Sequence, residues 1–352
     1  MENQCQKAVF FFIIIFFFNI SLSLDPQETL CNPSDGKALM DFLDSITSAD
    51  PPRLLQSWDP HMDCCLWEGL SCDLTRRVVA LSRPGLLATI NWGVLNTTLS
   101  GTLTPSIANF TALQVLDLRG LKNLSGPIPD SVGELAALTK LDLSGNQFSG
   151  GIPESIGRLK NLIYLDLSGN RLTGRIPASV GNLSKLLLLQ LNGNRLGGPI
   201  PGEPILPGLR SLLNLRLHDN AFTGTIPPSI GNLTEIQGLS LGDNNLTGNI
   251  PETIGHLPSL FTLNLSGNGL AGEIPEAFGD LRSLISMDLS GNQLSGEIPG
   301  EVMNLESLKK FDVSGNRLSG EIPAHKANIP KEAFLGNPGL CGSPLPPCKP
   351  FF

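Results

Sequence analysis

The groups best suited to chemistry in this 352-residue chain are four histidines and seven cysteines, and their spacing assigns neither set to catalysis. His61, His218, His256 and His325 are scattered, and no His-Glu-x-x-His, Gly-x-Ser-x-Gly or phosphate-loop pattern occurs. The pair His218-Asp219 has the residue types of a catalytic dyad, but adjacent residues of an exposed loop are ordinarily plain solvated positions. The chain therefore reads as non-enzymatic and as needing no cofactor.

The cysteines read as cross-links. Residues Ala8 to Phe18 form an apolar run after Lys7, and Ser21-Leu22-Ser23 offers the small residues a signal peptidase needs, so residues 1–23 are expected to be a signal peptide that carries Cys5 away. That run is shorter than the roughly 20 apolar residues of a spanning helix, and with no second one the mature chain is expected to lack a transmembrane segment. Cys31, Cys64, Cys65 and Cys72 then lie near one end and Cys341 and Cys348 near the other, an even set that implies disulfides in a secreted protein. Neighbours Cys64 and Cys65 are poorly placed to bond each other, so each is expected to take one of Cys31 and Cys72, while Cys341 and Cys348 close a small loop. No histidine accompanies these groups as a fourth ligand, so no metal site is expected.

Between the cysteine groups the sequence repeats. Asn146, Asn170, Asn194, Asn220, Asn244, Asn268, Asn292 and Asn316 follow one another at spacings of 24, 24, 26, 24, 24, 24 and 24, each closing a Leu-x-Leu-x-x-Asn segment. In each unit the leucines alternate with polar residues, as Leu141 and Leu143 do with Asp142 and Ser144, which predicts a short strand with one buried face. The asparagine is expected to enter the interior and satisfy backbone groups otherwise left unpaired. A Leu-x-Gly-x-Ile-Pro segment follows most of these asparagines, and its glycines from Gly101 to Gly320 count ten units. At about 4.8 Å per strand the stacked sheet would run roughly 45 Å. Extra residues at Leu121-Lys122-Asn123 and within 201–208 fall on the loop side, where stacked arrays accept them.

The expected fold is an α/β solenoid of leucine-rich repeats. It is a right-handed superhelix with a parallel concave β-sheet, about ten 24-residue repeats and disulfide caps at both ends. Residues 24–76 are assigned to an N-terminal cysteine-rich cap, 77–323 to the solenoid and 324–352 to a C-terminal cap. In the first cap Gly36 to Leu43 and Leu54 to Trp58 are read as short helical pieces, and Arg77 to Leu81 as the first strand.

The combination of Cys31-Asn32-Pro33, Ser57-Trp58, Cys64-Cys65-Leu66-Trp67-Glu68-Gly69, ten Leu-x-Gly-x-Ile-Pro units and Gly336-Asn337-Pro338-Gly339-Leu340-Cys341-Gly342 resembles the plant-specific leucine-rich-repeat proteins. That group includes polygalacturonase-inhibiting proteins, receptor-like proteins and the ectodomains of receptor kinases. The resemblance implies a secreted protein of the extracellular space or cell wall that binds a protein or peptide. A secreted polygalacturonase of a microbe is the first partner it implies, in plant defence. A receptor kinase, with the chain at the plasma membrane, is the second. Family inhibitors carry more cysteines near the C-terminus than Cys341 and Cys348. A formal charge of −8 and a pI near 5.1 exclude nucleic acid as a natural partner.

Binding is expected where outward strand positions depart from the Leu-Asp-Leu-Ser consensus. Asp117, Asp142, Asp166, Asp288 and Asp312 form a column that reads as consensus on a solvated face. Gln190 and Asn192, then Arg216, His218 and Asp219, then Ser240, Gly242 and Asp243 break it and make a candidate contact patch, with Tyr164 as an exposed anchor beside it. Asn96, Asn109, Asn123, Asn182, Asn232, Asn245 and Asn264 lie in Asn-x-Ser/Thr sequons, and Asn264 falls on the concave face, where a glycan would shield the later repeats.

Overall fold

The computed structural model describes residues 31–88, 94–203, 205–325 and 327–348; the expected signal peptide and Cys5 lie outside them. Two long sheets run the length of a solenoid. The inner one has eleven strands, ten of them parallel and supplied one per repeat. These are β1 (Val78–Ser82), β2 (Val115–Asp117), β3 (Lys140–Asp142), β4 (Tyr164–Asp166), β5 (Leu188–Gln190), β6 (Asn214–Arg216), β7 (Gly238–Ser240), β8 (Thr262–Asn264), β9 (Ser286–Asp288) and β10 (Lys310–Asp312). Leu116, Leu141, Leu165, Leu189, Leu215, Leu239 and Leu263 are at most 2% exposed, so each repeat contributes a layer that only its neighbours can cover.

The second sheet is a feature that the sequence reading did not anticipate. The stretch after each inner strand, around the Leu-x-Gly segment, forms parallel strands such as Gln147–Gly150, Arg171–Gly174, Ala221–Gly224 and Gly269–Gly272. They join a ten-stranded sheet closed at one end by the antiparallel strand Ile46–Asp50. The buried residue of each strand, such as Phe148, Leu172, Phe222 or Leu270, packs inward while its neighbours face out. After Ile-Pro the chain makes a one-turn 3-10 helix, as in Glu154–Arg158 and Ala178–Asn182. Its glycine is required by close approach, since a Cβ on Gly157 would sit 2.3 Å from the Ser179 carbonyl oxygen of the next repeat.

The asparagines enter the interior as expected. Asn170 Nδ2 donates to the carbonyls of Leu143 (3.0 Å), Leu167 (3.1 Å) and Ser168 (3.2 Å), and its Oδ1 accepts from Phe148 N at 3.0 Å. Each asparagine thus ties its own turn to the preceding repeat. The ladder continues past Asn316, because Asn337 donates to Val313 O and Phe334 O and accepts from Leu318 N, and Gly339–Cys341 pairs in parallel with Ser319–Glu321. Asn146 Oδ1 lacks a hydrogen-bond partner among the described residues, and the inserted residue at Leu121-Lys122-Asn123 falls in the repeat it would address.

The N-terminal end is covered by helix α1 (Pro33–Ser45), capped by Asn32, with Phe42, Trp58 and Trp67 packed over the first repeat. Asp35, wholly buried, pairs with Arg77 at 2.9 Å and accepts from Val78 N at 2.8 Å, which locks the helix to β1. The disulfides are Cys31–Cys64, Cys65–Cys72 and Cys341–Cys348, which settles the pairing left open by the sequence. One expectation is corrected. Leu54 to Trp58 forms successive turns, not a helical piece: Leu54, Gln56 and Trp58 each donate to the carbonyl three residues back, and the alternate N–H groups do not continue the series. A hairpin, Leu86–Ala88 with Val94–Asn96, is inserted after β1 and leaves Leu86 and Leu95 exposed. Among the described residues no helix is long and apolar enough to cross a membrane.

Candidate ligand-binding face

The outward residues of β2 to β8 form one surface with two kinds of chemistry. On β2 to β4 the polar groups are turned on one another. Lys140 Nζ lies 2.7 Å from Asp117 and 3.6 Å from Asp142, and Arg119 reaches the same two carboxylates at 3.3 and 3.4 Å. Ser144 and Ser168 donate their hydroxyls to Asp142 and Asp166 at 2.7 and 2.6 Å. Tyr164 donates its hydroxyl to Asp166 at 3.1 Å, and Lys140 sits 5.3 Å above its ring. Burial holds the Asp142 carboxyl above its ordinary range, with Asp117 and Asp166 adding to the effect against the Ser144 hydrogen bond. Burial, reinforced by Asp166 and Asp142, pushes the Tyr164 phenol upward as well.

Two sequence expectations are corrected here. Asp117, Asp142 and Asp166 are 4%, 0% and 7% exposed, so this part of the acidic column is a buried network and not a solvated row. Each carboxylate folds onto its own turn; Asp117 and Asp142 are roofed by Lys140 and Arg119, and Asp166 by the Tyr164 hydroxyl. Asp288 and Asp312 remain half-buried and accept from Ser290 and Ser314. Tyr164 is likewise half-buried and pinned at both its face and its hydroxyl, not an open anchor.

On β5 to β7 the side chains are less committed. Arg216 is exposed, and its Nε donates to Asn214 Oδ1 at 3.2 Å, a neutral partner, with no ion pair among the described residues. His218 Nδ1 lies 3.0 Å from Ser240 Oγ on the next strand. Burial, then Arg216, holds the imidazole below its ordinary value, which favours the neutral ring. Asn192 Oδ1 is buried without a hydrogen-bond partner among the described residues, and Gln190 is half-buried. The structure brings Gln190, Asn192, Arg216, His218 and Ser240 onto adjacent registered strands. Asp219 and Asp243 stand elsewhere. They occupy the turn at φ +57° and +50°, where Gly145, Gly169, Gly193, Gly267, Gly291 and Gly315 stand in other repeats, so they line the rim and not the outward strand row. Both are exposed.

Asn96, Asn123, Asn182, Asn232 and Asn245 are exposed and Asn109 is half-buried. Asn264 is half-buried on β8, its Oδ1 accepting from Ser266 N and Oγ at 2.9 and 2.7 Å.

The stacked inner sheet, the second sheet, the asparagine ladder and the disulfide ends define a leucine-rich-repeat solenoid. Models described as leucine-rich repeat region, leucine rich repeat N-terminal domain and leucine rich repeat match residues 94–241, 32–73 and 275–318. The chain belongs to the leucine-rich-repeat family, among the plant proteins of that kind. It is 34% identical over 115 residues to a polygalacturonase inhibitor of Vitis vinifera, covering 32% of this chain and 30% of the inhibitor. It resembles a solved plant ice-binding protein, with a TM-score of 0.77, 32% identity, and coverage of 91% of this chain and 98% of that one. It also resembles the Arabidopsis receptor kinase HAESA solved with the peptide hormone IDA and the co-receptor SERK1, with a TM-score of 0.70, 35% identity, and coverage of 83% and 47%. The chain spans about a third or less of the length of the curated relatives it matches first.

Proposed function

We propose that this protein is a secreted recognition protein that binds a protein or peptide on its concave face and acts without catalysis or a cofactor. The observation that carries this reading is the contrast on that face. Polar groups on β2 to β4 satisfy one another, while β5 to β7 present the exposed Arg216 guanidinium, hydrogen-bonded only to a neutral amide among the described residues, on a rigid frame. A preformed surface with unmet hydrogen-bonding capacity is what a partner can complete.

A secreted polygalacturonase or similar wall-degrading enzyme is the first partner class, supported by the likeness to the inhibitor. A peptide presented to a receptor kinase at the plasma membrane is the second, supported by the likeness to the ligand-bound ectodomain. Affinity capture of the glycosylated protein from extracellular extract, with and without fungal culture filtrate, tests both. Recovery of a secreted hydrolase supports inhibition; recovery of a kinase ectodomain or peptide moves the protein into perception; recovery of neither refutes the reading.

One feature favours ice as a second reading. Ser149, Thr173, Thr223 and Thr247 place hydroxyls at one repeat position on strands of the second sheet, with Gly197 interrupting the row. Absence of thermal hysteresis in the purified protein would eliminate it.

A further inference from the structure

The residue just ahead of each inner strand forms a column at the edge of the concave face: Ile163, Leu187, Leu213, Gln237, Phe261, Ile285 and Lys309. Ile163, Phe261 and Ile285 are 41%, 38% and 40% exposed and so are among the most exposed large apolar side chains described, while Leu187 and Leu213 are half-buried between them. The column is held by its own backbone ladder, in which each N–H from Leu187 to Lys309 donates to the carbonyl of the preceding member at 2.8–2.9 Å. It ends at Lys309 and Lys310, both exposed and without an ion pair among the described residues.

Taken at every second strand, β4, β6, β8 and β10, the column reads Ile163, Leu213, Phe261, Lys309. Two strand spacings are about 9.6 Å. Three residues of a polyproline II chain advance about 9.3 Å and return to the same side. A peptide in that conformation therefore meets the column in register at every third residue, with three apolar contacts followed by a cationic one.

We infer that this edge is a rail for a proline-rich peptide in the polyproline II conformation, with apolar side chains at positions i, i+3 and i+6 and a carboxylate at i+9 placed on Lys309 and Lys310. Charge complementarity at that end fixes its direction. The inference rests on the concave-face reading and names the class of ligand that face takes. The carboxylate comes either from a side chain or from the chain terminus.

The probe is an acetylated ten-residue peptide, Leu-Pro-Pro three times followed by Glu, with an amidated end, titrated calorimetrically into the full glycosylated protein. A second peptide carries Ala at the tenth position and a free terminal carboxylate, which separates the two sources. A third has the composition of the first with its leucines out of the three-residue register. The expected result is binding by one of the first two, at least about tenfold tighter than by the third, and a loss of about tenfold in Phe261→Ser. The charge swap Lys309→Glu with Lys310→Glu should reverse the preference toward a peptide with Lys at the tenth position, a gain that misfolding cannot produce. Equal binding of the in-register and out-of-register peptides, or no binding by any, would overturn the rail. Either failure leaves a captured partner bound to the concave face, whereas a partner that ignores Arg216→Ala sinks the broader reading.

Discussion

Strands β2 to β4 and β5 to β7 share one backbone, one register and one pattern of buried leucines, yet their outward residues behave oppositely. The first set carries Asp117, Asp142 and Asp166, closed over by Lys140, Arg119, Tyr164 and two serines. The second carries Gln190, Asn192, Arg216, His218 and Ser240, where Arg216 donates to the neutral Asn214 amide and His218 pairs with Ser240. A charge that already has its partners gains little from a ligand and loses them on substitution, while an uncompensated one has its interaction still to make. Consensus and departure from it thus separate a self-satisfied half of the face from the half that we propose is receptive.

The largest effect should fall on the frame common to both halves. Asn170→Leu removes three donated hydrogen bonds and one accepted one from the interior, and should lower unfolding free energy by about 3 kcal/mol or more, read from the urea midpoint. Retention of the midpoint would mean that the ladder is not what couples the repeats. Next is Lys140→Met, which leaves Asp117 and Asp142 short of a cation. It should cost about 1–2 kcal/mol without changing affinity for a captured partner. Loss of affinity there would erase the distinction between the halves.

Smaller effects sharpen it. Asp219→Gly relaxes a left-handed residue at an exposed rim and should raise stability by about 0.5 kcal/mol, seen as a higher melting temperature; a lower one would show that the aspartate supports the turn. His218 is held below its ordinary pKa, so the unfolded chain takes up its proton first as pH falls. Stability from this group is full above about pH 6.5 and declines as pH drops through the folded value. His218→Gln should remove that part of the slope, measured by melting between pH 7.5 and about 5; an unchanged slope would assign it to other groups.

The repeat was legible because the core dictates it: Leu165 and Leu167 are buried by neighbouring repeats, and Asn170 has one geometry that satisfies the turn. The second sheet was not, since Arg171-Leu172-Thr173-Gly174 is too short and too glycine-bounded to announce a strand until the repeats on either side supply its hydrogen bonds. Arg216 and His218 could be placed by period alone. The burial of Asp142 could not, because its roof comes from Lys140 two residues back and from Arg119 in the preceding repeat, and no local pattern marks a carboxylate as covered. Asp219 and Asp243 were misplaced by one position, and the missed signal was the glycine that stands there in neighbouring repeats.

The most direct test compares Arg216→Ala with Lys140→Met against a partner recovered by affinity capture, measuring dissociation constant and melting temperature for each. The receptive-half account predicts that Arg216→Ala weakens binding about tenfold or more at unchanged melting temperature, while Lys140→Met lowers the melting temperature at unchanged affinity. Affinity lost in Lys140→Met and kept in Arg216→Ala would contradict it.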